Sequence, residues 1–223
     1  MEKLIHIIPT PIGNLEDITL RAIRILKEVD LILAEDTRVT KKLLSHYNIK
    51  NKMLSYHAFN EHKILNKIID KIHAGIKIGV VSDAGTPGIS DPGFLLIREC
   101  LQQGIEINCL PGPTACIPAL IKAGLPCDRF IFEGFLPIKK GRKKRLTTIS
   151  NESRTIILYE SPHRILKTLR ELSQCCPKKN IVVLKELTKI HEKTYRGEIN
   201  NIINDISKSR LKGEFIIVLN GEN

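Results

Sequence analysis

Three times in the first half of the chain, a short apolar run is cut off by a loop of prolines and glycines and then followed by helix-patterned sequence. The runs are residues 4–8, 76–81 and 105–110. The loops are Pro9-Thr10-Pro11-Ile12-Gly13-Asn14, Ser82-Asp83-Ala84-Gly85-Thr86-Pro87-Gly88-Ile89-Ser90-Asp91-Pro92-Gly93, and Pro111-Gly112-Pro113-Thr114-Ala115. Proline fixes φ, and glycine opens positive φ and lets another group approach the backbone. Strand, loop and helix repeated with short links predict a parallel sheet covered on both faces. Loops that follow parallel strands leave one edge of the sheet, which is where open α/β sheets bind ligands. The middle loop far exceeds the roughly two to six residues such a connection needs, so it reads as a binding loop rather than a plain turn.

Helical and strand periodicity fill in the rest. Asp17 is placed to cap a helix carrying Leu20, Ile23 and Leu26. A strand at 29–33 runs into Ala34-Glu35-Asp36-Thr37-Arg38, and a helix at 39–46 follows. A strand at 53–57 precedes an amphipathic helix with Ile64, Leu65, Ile68, Ile69 and Ile72 on one face. A further helix spans 94–103. From Gly124-Leu125-Pro126 onward, strands are expected at 129–134, 155–159, 181–185, 193–198 and 214–219. Helices at 139–149, 162–175 and 200–207 lie among them. At 223 residues this predicts two α/β domains, 1–123 and 124–223, with a cleft between them.

A net charge of +11 and a pI near 9.4 favour a polyanionic partner, although a lysine-rich proteome would give a similar balance. The excess is concentrated in Lys139-Lys140-Gly141-Arg142-Lys143-Lys144-Arg145, six cations with no acid among them. A solvated basic helix is the plain reading of such a run, and a phosphate-gripping surface is the functional one. Aromatics are sparse at 4%, so electrostatics must supply most of any RNA affinity. The six cysteines show no Cys-x-x-Cys spacing and the histidines no ligand spacing. Reduced, mostly buried thiols and no metal are expected. No apolar run is long enough to span a membrane, and the N-terminus shows no signal-peptide pattern, which together predict a cytoplasmic protein with no membrane partner.

Neither Gly-x-x-x-x-Gly-Lys-Ser/Thr nor Gly-x-Gly-x-x-Gly is present. The three loops suit a neutral or zwitterionic ligand gripped by backbone groups instead. Taken with Ala34 to Arg38 and Tyr159-Glu160-Ser161-Pro162-His163-Arg164, they resemble, in order, the motifs of the ribosomal RNA small subunit methyltransferase I family of the tetrapyrrole-methylase superfamily. The resemblance implies two α/β domains of tetrapyrrole-methylase type with the cofactor in the cleft between them. It further implies S-adenosylmethionine as methyl donor, 2′-O-methylation of a cytidine ribose in the decoding region of 16S rRNA in the small ribosomal subunit, and a homodimer. Members commonly carry a further C-terminal segment, whereas this sequence stops at Asn223.

Position by position, the resemblance assigns cofactor contacts to Ile12, Gly85, Thr86, Pro87, Ile89, Thr114, Ala115 and Tyr159. Thr114 also reads as a helix N-cap. Removing the hydroxyl proton calls for a base or an orienting group. Asp36, Arg38, Glu160, Lys185 and Glu186 are the candidates, each equally readable as solvated surface, and Arg164 can pair with Glu160. The RNA contacts expected are Lys139, Lys140, Arg142, Lys143, Lys144 and Arg145. A methylase of a tetrapyrrole or other small acceptor on the same fold, and a basic RNA-binding or assembly protein without catalysis, are the competing readings.

Overall fold

The structure, a computed structural model, describes residues 3–220; the outermost positions of the two predicted domains, 1–2 and 221–223, lie outside the described residues. The chain divides into two compact units between Thr114 and Ala115.

The first unit holds β1 (Leu4–Ile7), α1 (Leu20–Glu28), β2 (Leu31–Ala34), α2 (Thr37–His46), β3 (Met53–Ser55), α3 (Glu61–His73), β4 (Ile78–Val81), α4 (Phe94–Gln102) and β5 (Glu106–Cys109). Its sheet is wholly parallel, in the order β3-β2-β4-β1-β5. Strands buried on both faces read as continuous apolar runs, and the side chains divide accordingly. Ile8, Ile32, Ala34 and Val81 pack with Ala22, Ile25 and Leu26 of α1 and Leu43 and Leu44 of α2. Ile5, Ile7, Leu33, Ile78 and Val80 pack on the other face with Ile68, Ile69 and Ile72 of α3 and Leu96 and Cys100 of α4. The cap of α1 is Thr19, whose hydroxyl accepts from the Ala22 amide at 3.0 Å. The expected cap, Asp17, ends a separate 3₁₀ turn, Leu15–Asp17, because Asn14 caps first by accepting from the Glu16 amide.

The second unit holds α5 (Cys116–Ala123), β6 (Phe130–Phe135), α6 (Arg142–Ser150), β7 (Thr155–Glu160), α7 (Ile165–Cys175), β8 (Ile181–Lys185), β9 (Lys193–Tyr195), α8 (Ile199–Ser207) and β10 (Phe215–Leu219). Its sheet is mixed, β6-β7-β10-β8-β9. Only the β6–β7 pair is parallel; β10 runs antiparallel to both β7 and β8, and β9 antiparallel to β8. Phe215, Ile217 and Leu219 of β10 point into a core shared with α6, α7 and α8. Helix α5 packs against β8 and β10. For that reason the division falls before α5, whereas the Gly-Leu-Pro turn after it suggests a boundary at Ala123.

The thiols differ from expectation. Only Cys100 and Cys176 are buried, Cys109 and Cys127 are exposed, and all six are free. Cys109 ends β5, an edge strand of its sheet, and Cys127 follows the turn at Gly124, which leaves both on the surface. Among the described residues no helix is long and apolar enough to cross a membrane, and no group of three His, Cys, Asp or Glu side chains could hold a metal.

Candidate functional site

Strands β4, β1 and β5 are neighbours in a parallel sheet, so the loops that follow them leave its carboxyl edge side by side. They are bonded to one another. Thr10 and Gly85 exchange both backbone hydrogen bonds at 2.9 Å, and the Thr10 hydroxyl donates to the Ser82 carbonyl at 3.0 Å. The Thr86 hydroxyl donates to the Pro113 carbonyl at 3.1 Å, joining the second loop to the third. Gly85 sits at φ +80° where the three meet. A Cβ there would lie 3.5 Å from Ile12, 3.8 Å from the Pro113 oxygen and 3.9 Å from the Thr114 Cα. Gly112 packs so closely on Pro9 that a Cβ would fall 2.7 Å from the proline ring. The outcome is a rigid floor of carbonyls, amides and small side chains.

Of the residues assigned to the cofactor, Ile12, Gly85, Thr86, Pro87, Ile89 and Thr114 belong to this floor. Ile12, Gly85 and Pro87 are buried in it and Ile89 is exposed. The N-cap of α5 is Ala115, with no side-chain capping bond, so Thr114 is not the cap. Ala115 and Tyr159 lie in the second unit, where Tyr159 at the end of β7 is flanked edge-on by Phe132 and Phe135.

The candidate bases fare differently. Asp36 is the cap of α2, with both oxygens on Arg38 and an accepted bond from the Arg38 amide. Those bonds depress its carboxyl to about 2, too acidic to take a proton from a hydroxyl. Arg38 is correspondingly committed to Asp36. Glu160 is buried and occupied three times over, by the Ser161 amide at 2.8 Å, the Thr168 hydroxyl at 2.6 Å and the Arg164 guanidinium at 2.8 Å. It is a structural carboxylate. The Lys185 ammonium donates to the Arg210 carbonyl and stands over the Phe215 ring. Glu186 accepts from the Glu214 amide and from Lys189. Burial works against its charge, yet these two donors hold its carboxyl below the ordinary range. Each of the three in the second unit is thus tied into local architecture.

The groups that sequence reasoning missed are Glu35 and Asp83. The Asp83 amide donates to Glu35 Oε2 at 3.2 Å, and the Asp36 amide donates to Asp83 Oδ1 at 3.0 Å. Partial burial raises both carboxyls, and the neighbouring Asp36 charge adds to it. Raised carboxyls at the carboxyl edge of a parallel sheet mark these two as candidates for a functional role. The signal in the sequence is the strand end: β2 adjoins β4, so Glu35 is aligned with the middle loop.

The basic run also divides. Arg142 is not a surface cation, its side chain being 6% exposed. It donates to Glu171 Oε2 from Nε at 2.8 Å and from Nη2 at 2.5 Å, to the Thr168 hydroxyl at 2.7 Å and to the Pro137 carbonyl at 3.0 Å. Helical spacing puts it on the inner face with Leu146 and Ile149. Arg145 is half-exposed and paired with Glu133 at 2.7 Å. Lys139, Lys140, Lys143 and Lys144 remain fully on the surface.

Residues 4–203 match the family model of the tetrapyrrole (corrin/porphyrin) methylases. The chain is 46% identical, over the whole of both sequences, to ribosomal RNA small subunit methyltransferase I of Thermotoga maritima. Its identity to the Synechocystis protein of that name is 47%, covering 98% of this chain and 79% of that one. The fold matches uroporphyrin-III C-methyl transferase from Thermus thermophilus complexed with S-adenyl homocysteine, with TM-score 0.66, 17% identity and 96% of each chain covered. By sequence, fold and loop pattern the chain belongs to the tetrapyrrole methylases and, within them, to the ribosomal RNA small subunit methyltransferase I family.

Proposed function

We propose that this protein is an S-adenosylmethionine-dependent methyltransferase of small-subunit ribosomal RNA, acting on the 2′-hydroxyl of a cytidine in the decoding region of 16S rRNA. The observation that carries the reading is the bonded triple-loop floor at the carboxyl edge of the first sheet, in a chain that matches rRNA methyltransferases over its full length. The floor fits the cofactor's amino-acid end. Backbone amides and carbonyls suit a zwitterion, and the space at Gly85 is one that a Cβ would fill. Ile12, Gly85, Thr86, Pro87, Ile89 and Thr114 are the proposed contacts, with Ala115 and Tyr159 joining them on the resemblance alone. When bound, S-adenosylmethionine supplies an electrophilic methyl group on sulfur. The protein's share is to hold the acceptor hydroxyl in line and to receive its proton.

Four exposed lysines, Lys139, Lys140, Lys143 and Lys144, are the proposed phosphate contacts, with the half-exposed Arg145 beside them. A cytoplasmic homodimer completes the reading, and light scattering is expected to give twice the chain mass of 25.2 kDa. The deciding experiment maps 2′-O-methyl groups on ribosomal RNA from cells with and without this protein. One decoding-region cytidine should lose its methyl group in the deletion. An unchanged map would refute the proposal.

A further inference from the structure

The first unit carries a groove of about 580 Å³ beside the start of α4, lined by Glu35, Glu61, His62, Asp91, Phe94 and Arg98 among others. That volume suits a small organic group. Its chemistry runs against the rest of the chain. The protein has a net charge of +11, yet this groove holds three carboxylates. Phosphate is repelled from such a lining, whereas hydroxyl and exocyclic amine donors are welcome. One wall is an aromatic ring. Phe94 is 67% exposed, with the Arg98 guanidinium 5.7 Å from its centroid. An exposed ring offers a π-face on which a nucleobase can stack.

At the end of the groove next to the cofactor loops stands Glu35. Its Oε2 is fixed by the Asp83 amide, two residues before Gly85, and its Oε1 has no hydrogen-bond partner among the described residues. We propose that this groove receives the nucleoside to be methylated, with its base stacked on Phe94, and that Glu35 Oε1 takes the proton of the acceptor hydroxyl. This rests on the RNA methyltransferase reading above. The step balances: the carbon–oxygen bond forms as the carbon–sulfur bond breaks with its electron pair left on sulfur, and the hydroxyl proton ends on the carboxylate. Burial keeps that carboxylate more basic than usual, while Asp36, its closest rival in sequence, is neutralised by Arg38. The charges around Glu35 are Asp36, Asp83 and His57; Glu61, His62, Asp91 and Arg98 face it across the groove.

Two variants and two readouts test this. Glu35→Gln keeps the acceptor for the Asp83 amide and so retains the loop. On small subunits from cells lacking the protein, its kcat should fall by about 10²–10⁴ with KM unchanged, and the acidic limb of the pH–rate profile should disappear. Phe94→Leu should raise KM for the same subunits by roughly 5- to 100-fold. In cofactor-free protein, millimolar cytidine should shift the Phe94 ring resonances in NMR spectra, and should fail to bind Phe94→Leu. If the parent methylates RNA while Glu35→Gln keeps its kcat, or if cytidine leaves the Phe94 resonances unmoved, the groove is not the acceptor site. A parent that binds S-adenosylmethionine but methylates no ribosomal RNA overturns the underlying reading, and this inference with it.

Discussion

Arg142 offers the sharpest separation between a residue that holds the fold and one that meets RNA. Its guanidinium joins Glu171 on α7, the Pro137 carbonyl before α6 and the Thr168 hydroxyl, which passes the connection on to Glu160 and Arg164. Consider Arg142→Gln. Breaking a buried ion pair by removing one partner costs about 3–5 kcal/mol. Glu171 is 27% exposed, so water can recover part of its solvation, and about 2–4 kcal/mol is the expected loss. In a chain of this size each 1 kcal/mol is worth roughly 2–4 °C, so the thermal midpoint should drop by about 4–16 °C. Lys143→Gln and Lys144→Gln, on the outer face of the same helix, should stay within about 0.5 kcal/mol of the parent. In RNA-binding titrations each of these two should instead lower the slope of log affinity against log salt by about 0.7–0.9. The assay is urea or thermal unfolding of the three variants beside RNA binding at several salt concentrations. Should Arg142→Gln unfold with the parent and flatten the salt slope like the lysines, the assignment of this side chain to the interior is wrong.

Gly85→Val combines a β-branched side chain with φ +80°. It should cost about 1–3 kcal/mol in stability and, by calorimetry, at least roughly tenfold in S-adenosylmethionine affinity; parent-like affinity would remove Gly85 from the cofactor site. Gly112→Ala places a Cβ 2.7 Å from Pro9, so overpacking should destabilise the first unit by about 1–3 kcal/mol in urea titrations. Glu35→Gln should do the reverse. A carboxyl raised on folding contributes stability that is complete below the ordinary carboxylate range and lost as pH rises through the folded value. At pH 7 the ionised Glu35 is therefore a liability beside Asp83 and Asp36. Its replacement should raise the midpoint at pH 7, a gain that fades below about pH 4. A gain that grows on acidification would contradict this.

Most elements could be read from the chain because burial on both faces leaves uninterrupted apolar runs, and helices leave a 3.6-residue stripe. The first sheet's parallel order follows from its strand–loop–helix repeats. The mixed second sheet does not, since pairing of the last strand between β7 and β8 depends on partners distant in sequence. The backbone-built loops at the carboxyl edge of the first sheet were readable because proline and glycine state backbone geometry directly. Roles of charged side chains were not. A run of cations hides which one falls on the inner helical face, and nothing local distinguishes Arg142 from Lys143. Likewise Asp36 and Glu35 are adjacent, and only the third dimension shows that Arg38 occupies one and leaves the other an open oxygen.

The position of β10 bears on how this protein is made. All elements of the first unit are consecutive, so it can fold while the remainder is still being synthesised. The second unit has no such freedom, because its central strand, Phe215–Leu219, follows every other element of that unit in sequence. Until it arrives, β7 and β8 are two apolar strands with open edges where a neighbour belongs, the kind of surface that pairs with other nascent chains. A premature stop before Phe215 would thus leave a sound first unit tethered to a sticky half-sheet, a species for chaperones and proteases rather than a shortened enzyme.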